Sequence, residues 1–167
     1  MNGTGRLPER KMKILTENNR INFDYQILET YEAGIVLYGF EVKAIKTGRV
    51  SLKGAYVVIK NEEAYLLNAF IPPYQKANTP TDYDPQRSRK LLLHKKEIKA
   101  LIGKSKLKGL TLVPIRMYTG KSKHSSLKGK IKLEIGVAKG KRKIDKREAI
   151  KKRDTEREIR REARGKY

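Results

Sequence analysis

Apolar positions along this chain alternate in short runs broken by Gly, Pro, Asn and Asp, a β-rich pattern more than a helical one. Tyr25, Ile27 and Thr30/Tyr31 predict a strand of imperfect alternation over 25–32. Ala33-Gly34 breaks it, and Ile35-Val36-Leu37-Tyr38 resumes β-type residues. Phe40, Val42, Ala44 and Ile45, followed by Gly48, predict a short helix. Ala55–Lys60 and Ala64–Ile71 flank Asn61-Glu62-Glu63, the clearest hairpin signal in the chain, and Pro72-Pro73 ends it. Residues 74–90 predict a long loop that leads Arg87, Arg89 and Lys90 onto Leu91-Leu92-Leu93. Ile98, Leu101 and Ile102 predict a helix from Lys95 to Ile102 stopped by Gly103. Leu110–Tyr118 and Ile131–Val137 predict a final pair of strands, with Pro114 at an edge or bulge. The segment 119–130 between them is a basic, Ser-rich loop.

These elements predict a mainly β fold: a small antiparallel barrel of the oligonucleotide-binding type with two or three short helices and a basic C-terminal tail. The chain divides into a flexible N-terminal arm over 1–17, a β-barrel body over 18–140 and a tail over 141–167. Residues 149–167 offer only Ala149, Ile150, Ile159 and Ala163 as aliphatic side chains. That is too little to offset an ordering entropy of roughly 1–2 kcal/mol per residue. The pairs Glu148–Lys152 and Glu156–Arg160 favour helix by about 0.2–0.5 kcal/mol each. The tail is therefore expected to be disordered when free and helical in a polyanionic groove.

Charge turns this fold into a functional expectation. Among 167 residues, 40 Lys and Arg face 18 Asp and Glu, a formal net charge of +22. The tail holds 13 basic and 6 acidic residues, so most of the excess lies on the body. Such a surface seeks a polyanion, and nucleic acid releases counterions when its phosphates are neutralised. An acidic membrane is the other candidate, but no basic helix with a Leu/Phe/Trp face is present. Nine Tyr and three Phe among the basic residues supply stacking groups suited to RNA. The absence of Cys excludes disulfides, a thiol nucleophile and Cys-based zinc. No apolar leader stands at Met1–Glu17 and no run reaches the ~20 residues of a membrane span, so a cytoplasmic protein is expected.

Catalytic patterns are sparse. His94, at the start of the helix predicted from Lys95, reads as a cap or surface residue, and His124, in the basic loop, as surface or a phosphate contact. Glu41-Val42-Lys43 resembles an E-x-K element to which Asp82 or Asp84 could add a metal carboxylate. The plainer reading is a short helix with Val42 inward and both charges outward. No enzyme, metal or cofactor is expected.

The chain closely resembles the tmRNA-binding small protein B family, also called SsrA-binding protein, of bacterial trans-translation. The resemblance rests on collinear stretches from about Asn18 to Arg161. They include Phe23-Asp24-Tyr25, Glu32-Ala33-Gly34, Gly39-Phe40-Glu41-Val42-Lys43, Asp84-Pro85-Gln86-Arg87-Ser88-Arg89-Lys90-Leu91-Leu92-Leu93, Gly136-Val137-Ala138-Lys139-Gly140-Lys141 and Asp145-Lys146-Arg147-Glu148. It implies a non-enzymatic adaptor that binds the tRNA-like domain of tmRNA and delivers it to stalled ribosomes. The body would stand in for the missing anticodon arm at the decoding centre, and the tail would sense the empty mRNA channel. The implied partners are tmRNA, the ribosome and, through the RNA, elongation factor Tu; the protein would act as a monomer. The general alternative is an RNA-binding or ribosomal barrel protein without this selectivity.

Residue by residue, the resemblance assigns tmRNA contact to Asn18, Glu32, Leu92 and Lys132. Asn18 and Glu32 can bond base edges or sugar hydroxyls and Lys132 a phosphate, while Leu92 is open to a base contact or a place in the core. Gly140 and Lys141 match the family's basic junction, and Asp145, Lys146 and Arg147 its motif for accommodation on the ribosome. Three departures stand out. Arg142 replaces a usual Lys, Ile144 replaces a usual aromatic residue or His, and loop 119–130 is longer than usual.

Overall fold

Asn61 and Glu62 hold φ of 52° and 58°, so a tight turn with two left-handed residues folds Tyr56–Lys60 (β3) onto Glu63–Leu67 (β4). Positive φ at both central positions matches the right-handed twist of the strands, but a non-glycine residue there is strained by roughly 1 kcal/mol. Glu62→Gly is accordingly expected to raise the melting temperature, by a stabilisation of up to about 1 kcal/mol, measured by thermal unfolding.

In the computed structural model, the structure describes residues 13–119 and 130–164. Its remaining elements are Lys13–Glu17 (β1), Ile21–Asp24 (α1), Tyr25–Ile35 (β2), Gly39–Lys46 (α2), Arg89–Leu92 (β5), Lys95–Ser105 (α3), Leu110–Thr119 (β6), Ile131–Gly140 (β7) and Lys143–Arg164 (α4). The strands form one antiparallel seven-stranded sheet in the order β1-β6-β3-β4-β5-β2-β7. A further pairing of β6 with β7 closes the sheet into a ring, leaving β1 as an extra strand beside β6. This is the mainly β, barrel-like architecture expected from the alternating pattern, and closure removes the open edges of the ring.

Inward-facing side chains fill the ring. Ala33, Leu66, Met117, Leu133 and Ile135 are fully buried, and Ala44, Ile45 and Leu101 join them from α2 and α3. Each strand turns its other face outward. A smaller core of Ile21, Val113 and Ala138 lies where α1 covers part of the outer surface.

Three sequence expectations change. Residues 13–17 belong to the sheet, not to the arm: β1 pairs with β6 from Lys13↔Thr119 to Glu17↔Arg116, and β6 supplies bonds that no local pattern announces. Ala33-Gly34 does not interrupt β2, because both residues pair with β7, Ala33 with Leu133 and Gly34 with Lys132. Helix α3 runs through Gly103 to Ser105, since the packing of Leu101 outweighs a propensity loss of about 1 kcal/mol. The tail follows the body as one helix from Lys143 to Arg164, with none of its residues buried, and this does not bear on its order when free. Pro114 does mark a bulge, for the β6–β7 register shifts between Pro114 and Arg116. The first twelve residues, loop positions 120–129 with His124, and 165–167 lie outside the described residues. No described helix is long and apolar enough to cross a membrane.

Candidate nucleic-acid interface

Alternation decides what the outer surface carries. On β2, Ala33 points inward, so Glu32 and Gly34 point outward. On β7, Leu133 and Ile135 point inward, so Lys132 and Glu134 point outward. On β6, Met117 points inward, so Arg116 and Tyr118 point outward. Register then aligns these residues in rows. Leu92, Gly34, Lys132 and Tyr118 are successive cross-strand partners, and Ile14 on β1 follows Tyr118. The next row joins Glu32, Glu134, Arg116 and Glu17.

Three residues assigned to RNA contact by resemblance, Glu32, Leu92 and Lys132, thus share one outer face although they come from β2, β5 and β7. Leu92 is 54% exposed, which places it outside and not in the core. Gly34 is what allows this arrangement: a Cβ there would come within 3.2 Å of the Leu92 Cβ, leaving a shallow step between Leu92 and Lys132. Asn18 sits at the margin, immediately after Glu17. Its N–H donates to Ile115 O at 2.8 Å, and its carbonyl accepts from Ile21 N at 3.0 Å.

Glu32 is held by two donors, Lys132 Nζ on one carboxylate oxygen and the Tyr118 hydroxyl on the other. Burial disfavours the charged carboxylate, but the hydrogen bonds from Lys132 and Tyr118 and the Lys132 charge outweigh it and hold the pKa below the ordinary value. The Tyr118 hydroxyl is pushed well above the ordinary phenol value by burial and by its bond to Glu32, so it stays a donor at neutral pH. Beside them Arg116 pairs with Glu134. The face therefore offers a fixed acceptor, a cationic amine and an apolar shelf. Such a set can bind a base edge or ribose hydroxyl, a phosphate and an unstacked base.

The residues of the junction gather at the opposite margin of the same sheet. Gly140 ends β7 opposite Tyr25. Lys141 N donates to Asp24 O at 3.0 Å, and its amine to Asn22 O at 2.7 Å. Asp145 accepts from Arg142 N at 3.2 Å, an acidic cap at the helix start. Lys146 pairs with Asp24 at 3.0 Å. Arg142 and Arg147 are exposed, as is Ile144 at 65%.

The E-x-K reading fails on geometry. Glu41 is fully buried, not outward, and five donors converge on its carboxylate: Arg87 Nε at 2.9 Å and Nη2 at 2.6 Å, Arg89 Nε at 3.0 Å, Tyr83 OH at 3.0 Å and Tyr38 N at 2.8 Å. Burial opposes its charge, yet Arg87, the Tyr38 N–H and Arg89 bring its pKa below the ordinary value. Tyr83 is pushed up to about 12 by burial and the Glu41 charge. Asp84 is used in a local turn, accepting from Gln86 N at 2.9 Å. Glu41 has no lone pairs left for a metal, and no group of three His, Cys, Asp or Glu among the described residues is placed to hold one. His94 caps α3, its N–H bonded to Glu97 at 2.9 Å.

Sequence reasoning did not find Tyr118, the Glu41–Arg87–Arg89 cluster or the Asp24–Lys146 pair. Arg116 and Tyr118 share a strand face by their spacing, but nothing local says that Glu32 lies across from them.

The family model described as SmpB protein matches residues 15–165. The chain belongs to the SmpB family. An SsrA-binding protein of Coprothermobacter proteolyticus is 53% identical over 156 residues, covering 93% of this chain and 100% of that protein. An SsrA-binding protein of Trichodesmium erythraeum is 50% identical over 149 residues, covering 89% and 91%. Among solved structures, a chain from a study of tmRNA-SmpB and its journey to the center of the bacterial ribosome matches with a TM-score of 0.62 and 45% identity. It covers 81% of this chain and 93% of that one. Family membership extends through α4, so barrel and tail are parts of one SmpB-type unit.

Proposed function

We propose that this protein binds the tRNA-like domain of tmRNA and delivers it to stalled ribosomes in trans-translation, as a non-enzymatic adaptor. The observation that carries this reading is the convergence of Glu32, Leu92 and Lys132 on one outer face of a chain of the SmpB family. Asn18 extends that surface at its margin. The cationic body supplies phosphate contacts, while Glu32 and Leu92 supply the shape- and base-dependent part. The body occupies the place of an anticodon arm at the decoding centre. Gly140, Lys141, Arg142, Asp145, Lys146 and Arg147 serve accommodation there. The protein acts in the cytoplasm as a monomer, and elongation factor Tu joins through the RNA.

The tail enters the empty mRNA channel. Helix α4 has 22 residues, about 33 Å at 1.5 Å per residue, with no buried side chain. Beyond its base only intrahelical bonds hold it, so its distal turns are expected to fray in solution and tighten against ribosomal RNA. The barrel body over 18–140, extended by β1, and the tail after it are thus a binding part and a sensing part.

The test is binding to the tRNA-like domain and to an ordinary tRNA over a series of salt concentrations. A preference for the tRNA-like domain that survives moderate salt is expected. Equal binding that collapses with salt would leave a general RNA-binding barrel. In the same assay Lys132→Ala is expected to weaken binding and lower the salt slope by about one. An unchanged slope would remove Lys132 from the phosphate contacts.

A further inference from the structure

We propose that Asp24 and Phe23 are positioning residues that aim the tail, and that Lys146 acts through them more than through its own contact with RNA. This rests on the reading that the tail works on the ribosome. The joint is built from separate contacts. Lys141 is tied to Asp24 O and Asn22 O through its N–H and its amine. The Asp24 carboxylate accepts from Lys146 Nζ at 3.0 Å, with both side chains about one-third exposed. Over the Phe23 ring stand Arg153, 5.4 Å from the centroid, and Lys146 at 6.0 Å.

Lys146 and Arg153 are two helical turns apart on one face, with partly exposed Ala149 between them. That face docks on α1. Helix α1 is itself fixed to the barrel by Ile21, packed with Val113 and Ala138. The chain of contacts from barrel to tail is therefore continuous. Rotation about 140–142 would break the ion pair and both cation–π contacts together. Arg147 points away from this face and is exposed, free to meet a phosphate. The motif Asp145-Lys146-Arg147 then divides its labour: Asp145 caps the helix, Lys146 aims it and Arg147 is left to bind. An exit direction fixed beforehand removes ordering entropy that would otherwise be lost when the tail enters a narrow channel.

The test uses a charge swap read in two ways. The chain has no Cys, so Ile150→Cys, at a position 46% exposed between the docked Lys146 and Arg153, takes a single fluorescent label. Asp24→Lys in that background is expected to lower label anisotropy and reduce ribosome rescue, read as tagging of a stalled nascent chain, by roughly tenfold, with tRNA-like-domain binding retained. The double variant Asp24→Lys/Lys146→Asp is expected to recover both. If Asp24→Lys lowers the melting temperature, Asp24→Asn carries the same test with a smaller effect. Unchanged anisotropy in Asp24→Lys overturns the joint. Freed anisotropy with normal tagging overturns its role in aiming. A swap that restores anisotropy but not tagging shows Lys146 acting by direct contact and also overturns the proposal. Failure of the adaptor reading is distinguishable: the unmodified protein would then show no preference for the tRNA-like domain, while the label would still report the joint.

Discussion

Replacing Glu41 by alanine is expected to destabilise the fold by about 3–5 kcal/mol, the largest single-residue effect anticipated here. The reason is Arg89. Its guanidinium is fully buried and bonded to Glu41, Ala69 O, Arg87 O, Pro85 O and Tyr83. Without the carboxylate that charge has no counter-ion and no route to water. Arg87 would also lose the partner that holds it 4.2 Å above the Tyr38 ring. The damage would reach the outer face proposed to contact RNA, because Arg89 begins the strand that carries Leu92.

Glu41→Gln keeps the shape but not the charge and should also be destabilised. Since the native pKa of Glu41 lies below its unfolded value, its contribution is fully present above the ordinary carboxylate range. It is lost as pH falls through the lowered native value. Denaturant unfolding between neutral and acid pH should therefore show a gap between wild type and Glu41→Gln that narrows in acid. A gap below about 1 kcal/mol at neutral pH would mean that the buried pair contributes no more than an exposed one.

Truncation after Gly140 is expected to abolish ribosome rescue while keeping selective binding to the tRNA-like domain. The truncated chain retains the row of Leu92, Gly34, Lys132 and Tyr118 and the whole barrel. It loses 13 basic and 6 acidic residues, so binding at low salt should weaken for every RNA and the salt slope should fall. It also uncovers Phe23 and the carbonyls of Asn22 and Asp24, so a modest drop in melting temperature accompanies it. Rescue by the truncated protein, measured as tagging of a stalled nascent chain, would refute a sensing tail. Loss of the preference for the tRNA-like domain would instead place part of the RNA site in the tail.

Much of the fold was legible before any coordinates. Alternation at Leu110–Tyr118 and Ile131–Val137 located β6 and β7, and the two β-type runs flanking Asn61-Glu62-Glu63 located the hairpin, because these are signals of local backbone preference; the structure narrows the turn to Asn61-Glu62. Of the site, the identities of Glu32, Leu92 and Lys132 came from resemblance to a family, not from their own neighbourhoods. A leucine inside Leu91-Leu92-Leu93 carries no mark of which way it points; pairing with Gly34 sends Leu92 outward and Leu91 into the core. Glu41 was misread for a related reason. A charged residue on a short helix is normally solvated, and only the return of the chain at 83–89 brings the two arginines that let it be buried.

By itself, then, the sequence determined an antiparallel β body, a cationic surface suited to nucleic acid and a tail with too few apolar residues to form a core of its own, since these follow from periodicity, charge and apolar content. Tertiary structure decided the rest. It joined β1 to the barrel, closed the ring through β6 and β7, carried β2 across Gly34, buried Glu41 between Arg87 and Arg89, and tied Lys146 to Asp24. The physical reason is the same in each case. These outcomes depend on partners tens to more than a hundred residues away, whose hydrogen bonds and counter-charges outweigh local preferences of about 1 kcal/mol.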